Sequence, residues 1–364
     1  MTALMVFVAV LAVLPAAMTL WNLALFQAPP ARVPDGLAVS VVIPARDEAA
    51  NIGACVDAVR ASTGCVVEIV VIDDQSTDAT PALVAERMAL DPRVRVVSPP
   101  SLPTGWSGKM HACLIGARAA SHPVLLFIDA DVRLAPAAVA RLAAGLRAED
   151  AGLASAFPRE LTLTLGEMLL VPLIHVLLLG YLPLAQMRRS RLPSLGAGCG
   201  QIMIADAAAY HALGGHGAIS RSWHDGVTLP RAFRAAGHMT ALFDGTELAS
   251  CRMYDGWAAS WAGFSKNARE GLAKPAALPV WTVLLGGGFV AAPLLALLAP
   301  SPVLVACVLL LVVSRGAVAW RFRQNWVSVT LTPIAMLVML SLQWRALLRG
   351  GRAPVRWRGR VQTT

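Results

Sequence analysis

Asp129 and Asp131 sit one residue apart at the end of an apolar run, Leu125-Leu126-Phe127-Ile128. Such a run reads as a buried strand. Alternate strand residues share a face, so the strand delivers two carboxylates that point the same way. Two close carboxylates repel each other unless a cation lies between them. A hard divalent ion bound through oxygen, Mg2+ or Mn2+, suits the pair, with a diphosphate as its other ligand. Taken alone, two acidic residues after a strand are also ordinary turn chemistry. What else reaches the same place decides between the two.

The surrounding elements bring more polar groups to that edge. Ala38-Val39-Ser40-Val41-Val42-Ile43 is strand-like and ends at Pro44-Ala45-Arg46-Asp47-Glu48. Residues 48 to 61 carry a helical stripe of Ile52, Cys55, Val56 and Val59. A second strand, Val66 to Ile72, ends at Asp73-Asp74, a helix is expected over 79 to 90, and Val94 to Val97 is a short strand. Strands alternating with helices imply an α/β fold with a mostly parallel sheet flanked by helices. Ligands of such sheets bind beyond the carboxyl ends of the strands. Three polar clusters therefore converge on one edge.

The 364-residue chain is 56% hydrophobic, with mean hydropathy +0.60, too apolar for an ordinary soluble domain. The excess is concentrated in the first 26 residues and the last third. Residues 1–27 are expected to be an N-terminal transmembrane anchor rather than a cleaved signal, since no basic segment precedes the apolar run. Residues 276–345 hold three apolar segments, near 278–299, 302–320 and 326–344, with almost no charge inside. A catalytic domain is expected over 37–245, an amphipathic interface segment over 246–275 and a basic tail over 346–364. The apolar stretch 161–185 contains Glu167 and His175, which favours an interfacial helix over a span. Three full C-terminal spans after a cytoplasmic domain would put the basic tail outside, against the positive-inside tendency. The net charge of +9 borders the apolar segments, so it suits anionic headgroups, and no nucleic-acid motif accompanies it. Six scattered cysteines show no zinc spacing and suit reduced, buried thiols.

The stretches Val41-Val42-Ile43-Pro44-Ala45-Arg46-Asp47-Glu48, Val71-Ile72-Asp73-Asp74-Gln75-Ser76-Thr77-Asp78-Ala79-Thr80, Asp129-Ala130-Asp131 and His224-Asp225 occur in that order. Together they resemble the family 2 glycosyltransferases of GT-A fold. Gly105-Trp106-Ser107-Gly108-Lys109-Met110-His111-Ala112 and Gly263-Phe264-Ser265-Lys266-Asn267 are similar to the branch associated with carotenoid and hopanoid glycosylation. The resemblance implies a nucleotide-sugar site. Asp73 or Asp74 would accept hydrogen bonds from uracil and ribose, with Pro44, Arg46 and Glu48 framing the nucleotide. An Arg46–Glu48 surface ion pair is the plainer alternative. Asp129 and Asp131 would carry the metal–diphosphate contact. Lys109 would add positive charge there, or be an ordinary solvated lysine. Asp225, just before a helical stretch, would take the acceptor's proton, though Asp also fills a helix N-cap well. Where the family usually has Glu-Asp, this chain has His224-Asp225.

Gly196-Ala197-Gly198-Cys199-Gly200-Gln201 is not a Walker or dinucleotide loop; by resemblance it lies near the acceptor, and a tight turn is the alternative. His216 and His224 are expected to be hydrogen-bonded structural histidines rather than metal ligands. The Q-x-x-R-W motif of processive synthases is absent after Asp225, which favours single transfer, and Trp257, Trp261 and Phe264 suit a membrane-interface belt. The reading is an inverting, metal-dependent glycosyltransferase of the inner membrane, multi-pass, with its catalytic domain cytoplasmic. It would move one sugar from a UDP-sugar to a lipid acceptor of isoprenoid type. The rival readings are a polyprenyl-phosphate sugar transferase, a catalytically inactive nucleotide-binding membrane scaffold, and a transporter.

Overall fold

A computed structural model describes residues 3–268, 270–349, 356–357 and 360–361. The chain divides into two compact units. One is built from Gln27–Arg159 and Gln186–Cys251. The other takes the N-terminal residues through Phe26, Glu160–Ala185 and Arg252–Ala353.

The first unit is an α/β layer structure around one sheet. Its strands are β1 (Ala38–Ala45), β2 (Val66–Asp73), β3 (Val94–Val97), β4 (Val124–Ile128), β5 (Val132–Leu134), β6 (Leu153–Glu160), β7 (Ile202–Asp206) and β8 (Thr240–Cys251). Their order is β3-β2-β1-β4-β7-β6-β8-β5. The pairs β2–β3, β1–β2 and β1–β4 are parallel, as the strand–helix alternation predicts. Beyond β4 the pairs β4–β7, β6–β7 and β5–β8 are antiparallel, so the sheet is mixed. The register sets Ala45 of β1 beside Asp73 of β2 and Val42 beside Phe127 of β4. The carboxyl ends of these three strands therefore share one edge. β8 runs to Cys251, past the boundary at 245 expected from sequence.

The core that holds this edge joins Val42, Ile72, Leu125 and Phe127 of the strands to Ala112, Leu114 and Ala117 of the helix Gly108–Ala119, and to Leu229 and Phe233 of the helix Asp225–Ala235. Gly116 lets the first of these helices lie close to the sheet. A Cβ there would come within 2.3 Å of Val42 Cγ1. This close seat fixes where Lys109, in the helix's first turn, must stand.

The second unit is helical. Among the described residues, three helices are long and apolar enough to cross a membrane by length and composition: Ala3–Leu25, Ala277–Leu298 and Pro302–Arg321. The segment expected over 326–344 forms Val327–Thr330 and then Thr332–Leu348, 17 residues. At 1.5 Å per residue that is about 25 Å, short of a ~30 Å hydrocarbon core. The stretch 161–185 is interrupted at Pro172 and Pro183 and becomes the helices Leu165–Leu170, Leu173–Tyr181 and Leu184–Met187. Its Leu170, Leu173 and Val176 pack with Ala16, Leu285 and Met336, so it groups with the helical unit rather than the sheet. Asn22, fully buried, closes the break: its amide donates to Leu179 O at 2.8 Å and Leu182 O at 2.7 Å, and accepts from Leu184 N at 3.3 Å. Glu167 is buried as well. It accepts from Leu163 N at 2.6 Å, Gly256 N at 2.8 Å and Arg252 at 3.0 Å. From Gly350 onward the basic tail lies outside the described residues, apart from the paired strands Arg356–Trp357 and Arg360–Val361.

Candidate active site

The loops leaving β1 and β2 are laced together residue by residue. Asp47 N donates to Ser76 Oγ at 3.0 Å, while Asp47 Oδ1 accepts from Thr77 N at 2.7 Å. Glu48 N donates to Thr80 Oγ1 at 2.8 Å and Ala49 N to Asp78 Oδ2 at 2.9 Å. Asp47 and Gln75 hold left-handed φ angles of 51° and 57° within this lacing. Such conformations are uncommon for residues with a Cβ and persist where neighbours over-determine them. Asp74 is buried; Arg46 donates to its carbonyl and stands 3.9 Å from its carboxylate. Asp73 is less buried and caps its own turn by accepting from Ser76 N at 3.2 Å. Arg46 thus pairs with Asp74. Glu48 accepts from Asn51 at 3.2 Å.

The centre of the edge is a lysine between two carboxylates. Lys109 Nζ lies 2.7 Å from Asp129 Oδ1 and 2.9 Å from Asp225 Oδ2, and donates to Gly200 O at 3.0 Å. It is therefore not the solvated lysine of the plainer reading. Burial works against its charge, but Asp129 and Asp225 outweigh that and hold its pKa well above the ordinary lysine value. Burial likewise works to raise Asp225. Lys109, with lesser help from His216 and His224, holds it below the ordinary carboxylate value.

Asp225 opens the helix Asp225–Ala235, and its Oδ1 accepts from Gly226 N at 2.8 Å. The glycine-rich stretch explains its seat. A Cβ on Gly200 would fall 2.1 Å from Asp225 Oδ1, and one on Gly226 would fall 2.6 Å from Gly198 O. Only bare backbone on both sides lets the carboxylate approach Lys109. His224 N donates to Ser222 Oγ at 3.1 Å, and its carbonyl accepts from Thr228 Oγ1 at 3.1 Å. His216 is buried against Tyr210, with Nδ1 2.6 Å from the phenol oxygen and its ring edge-on to Phe127. Burial pushes its pKa down to about 4, so it sits there as a neutral ring.

Asp131 is different from Asp129. Its side chain is half-buried, but Oδ1 is shut off from solvent and has no hydrogen-bond partner. Burial, then Asp129 and Glu48, push its pKa up to about 7. Cys251 faces the carboxyl, and Gln201 Nε2 donates to Cys251 Sγ at 2.9 Å, while Cys199 Sγ donates to Gln201 Oε1 at 3.0 Å. Gln201 and Cys251 carry no motif of their own. The β5–β8 pairing, which sets Cys251 beside Val132, brings in Cys251, and the hydrogen bond from Asp129 N to Gln201 O at 3.0 Å brings in Gln201. An orphaned, buried carboxylate oxygen beside two more acids fits a hard cation. Among the described residues no three His, Cys, Asp or Glu side chains form a metal cage. Asp129 and Asp131 would hold an ion only with further oxygens from a bound ligand.

Residues 40–198 match the model of Glycosyl transferase family 2. The chain carries a family 2 glycosyltransferase domain. That domain holds Arg46, Asp73, Asp74, Lys109, Asp129 and Asp131; Asp225 follows it. The chain is 27% identical over 236 residues to 4,4'-diaponeurosporenoate glycosyltransferase of Staphylococcus haemolyticus, covering 64% of this chain and 61% of that protein. The same figures of identity and coverage hold over 240 residues for the Staphylococcus aureus protein of that name. The match thus spans about three fifths of these relatives' length. Among solved structures, mannosyltransferase PcManGT from Pyrobaculum calidifontis, in complex with GDP-Man and Mn2+, superposes with a TM-score of 0.60 at 17% identity. It covers 96% of this chain and 100% of that one. The family 2 domain and its flanking helices therefore share the GT-A-like fold of that enzyme.

Proposed function

We propose that the chain is an inverting glycosyltransferase that moves one sugar from a UDP-sugar to a hydroxyl or carboxyl of an isoprenoid-type lipid. The observation that carries this reading is the single ammonium of Lys109 within 3.0 Å of both Asp129 and Asp225. Diphosphate chemistry and proton chemistry then meet at one point. Asp73 and Asp74 would take the base and ribose, Arg46 holding Asp74 in place. Pro44 is the penultimate residue of β1, and Glu48 borders the carboxylate pair. A divalent ion, Mg2+ or Mn2+, held by Asp129 and Asp131, would supply charge neutralisation for the departing diphosphate. The Mn2+ in the Pyrobaculum neighbour supports that choice of chemistry.

In the transfer the acceptor oxygen forms a bond to the anomeric carbon. The bond from that carbon to the diphosphate oxygen breaks, and the nucleoside diphosphate leaves with the electron pair. Asp225 takes the proton of a hydroxyl acceptor. A donor diphosphate competes with Asp225 for Lys109, and as the ammonium's hold loosens the carboxylate becomes more basic. A carboxylate acceptor has no proton to give and needs no base. The name of the staphylococcal relatives and the three apolar helices support a lipid acid as acceptor. Nucleotide sugars are made in the cytoplasm, so that membrane face is the proposed side.

The test uses the full chain in detergent, labelled UDP-sugars, and matched polyene alcohol and polyene acid acceptors, with the glycosylated lipid read by mass spectrometry. Transfer to the alcohol should fall ~10²–10⁴-fold in Asp225→Asn. Transfer to the acid should be little changed. Absence of any sugar–lipid product with either acceptor, from folded protein that binds UDP, would refute the proposal in favour of a nucleotide-binding scaffold.

A further inference from the structure

Arg315 lies inside the apolar helix Pro302–Arg321, in a segment the sequence presents as almost free of charge, and is only 4% exposed. Nη1 donates to Gln324 Oε1 at 2.7 Å and Nη2 to Ser328 Oγ at 2.8 Å. Both partners are neutral. Nε is buried with no hydrogen-bond partner. Among the described residues no carboxylate pairs with this guanidinium, and Glu167 and Asp255 of the same unit are taken by Arg252. Gln324 is itself fixed, its Nε2 meeting His175 Nδ1 at 3.2 Å, and the His175 ring lies 4.1 Å from that of Phe322.

A guanidinium cannot shed its proton, and two neutral acceptors do not balance its charge in an apolar bundle. A small cavity of about 10 Å3, open on one side, adjoins it and is lined by Thr19, Ser314 and Arg315 together with Val176, Leu311 and Val318. Nε–H and the free N–H of a neighbouring Nη form the planar fork that grips an oxyanion through two parallel hydrogen bonds. Arg315 stands roughly 9 Å from the helix end at Arg321, by the 1.5 Å rise, a depth an acid headgroup reaches while its chain stays among the helices.

We propose that Arg315, aimed by Gln324 and Ser328, is an anion site of the helical unit that takes the carboxylate or phosphate of an acidic lipid. The apolar walls favour a lipid over a free ion, because they offer the aqueous ion nothing and the lipid chain a surface. The site does not depend on the transfer reaction.

The full chain in neutral detergent would be titrated with sodium decanoate and with decyl phosphate, following the unfolding midpoint by tryptophan fluorescence. Decanol serves as the neutral match, and acetate and inorganic phosphate as anions without a chain. The two amphiphilic anions should raise the midpoint saturably and decanol should not, and Arg315→Gln should weaken the apparent affinity at least ten-fold. Ser328→Ala, a milder change, should weaken it several-fold and serves if the first variant does not fold. An equal response from acetate or inorganic phosphate would keep the anion site and overturn the lipid source. No saturable response, or one unchanged in both variants, would overturn the site.

Discussion

Lys109 Nζ touches three groups, Asp129, Asp225 and the Gly200 carbonyl, and each makes a separate claim about chemistry. Replacing it with Met leaves two carboxylates facing a shared space without their cation. Transfer is expected to drop by roughly 10²-fold or more, the scale of losing a preorganised charge at a reacting centre. Steady-state rates of Lys109→Met against wild type check this. Gly200→Ala is a finer probe, because its Cβ would occupy the place of Asp225 Oδ1. The carboxylate must move, and a displacement of about 1 Å at the chemistry costs on the order of 10²-fold in kcat. The KM for the donor should stay near wild type, since the donor side of the edge is untouched; a raised KM with normal kcat would place Asp225 on the donor rather than the acceptor. Asp129, Asp131, Lys109 and Asp225 were legible in the sequence because each sits in a short, chemically loaded motif. Cys251 was not, since a lone Cys acquires meaning only through the strand pairing that sets it beside Val132, next to Asp131, and Gln201 stood out only as the end of a glycine-rich stretch.

The edge on which these residues stand is made by β1 and β2, and Glu68 fastens that pair from below. It accepts from Ser40 Oγ of β1 at 2.6 Å, from Ser121 N at 2.9 Å, and from Arg95 of β3. Burial works to raise its pKa, but these hydrogen bonds prevail and take it down to about 2. A carboxylate depressed in the folded state gives stability that is full above the unfolded value, near 4.5, and is lost as pH falls toward about 2. Glu68→Gln should therefore destabilise at neutral pH, on the order of 1–2 kcal/mol after discounting for the exposed Arg95, and the difference should vanish near pH 2. Unfolding midpoints of the two proteins across that window check it. In the helical unit, Asn22→Leu should cost about 1–3 kcal/mol by leaving the Leu179 and Leu182 carbonyls unmet, measured as a lower unfolding midpoint in detergent. The strands up to β4 were plain from apolar runs punctuated by polar tips. The antiparallel half was not, because β6 and β7 are separated by the stretch 161–185, which folds into the other unit and breaks the strand–helix rhythm.

At the scale of the whole chain, the family 2 domain is accompanied by helices whose outer residues, Leu309, Val312 and Val313 among them, are apolar and exposed. Exposed apolar surface of that extent implies a membrane around it. The expressed chain should stay with the membrane pellet through an alkaline carbonate wash and need detergent for release; recovery in the wash would contradict the membrane reading. The count of C-terminal spans was open in the sequence because hydropathy does not reveal that Thr332–Leu348 is only 17 residues long. The central claim, that the carboxylates gathered around Lys109 form a sugar-transfer centre, is tested most directly by UDP release. Purified full chain would be given a panel of UDP-sugars with Mn2+ or Mg2+, with and without membrane lipid extract, beside Asp131→Ala and Lys109→Met. The account predicts lipid-stimulated, metal-dependent release that both variants lose while remaining folded. Release that persists at the wild-type rate in both variants would contradict it.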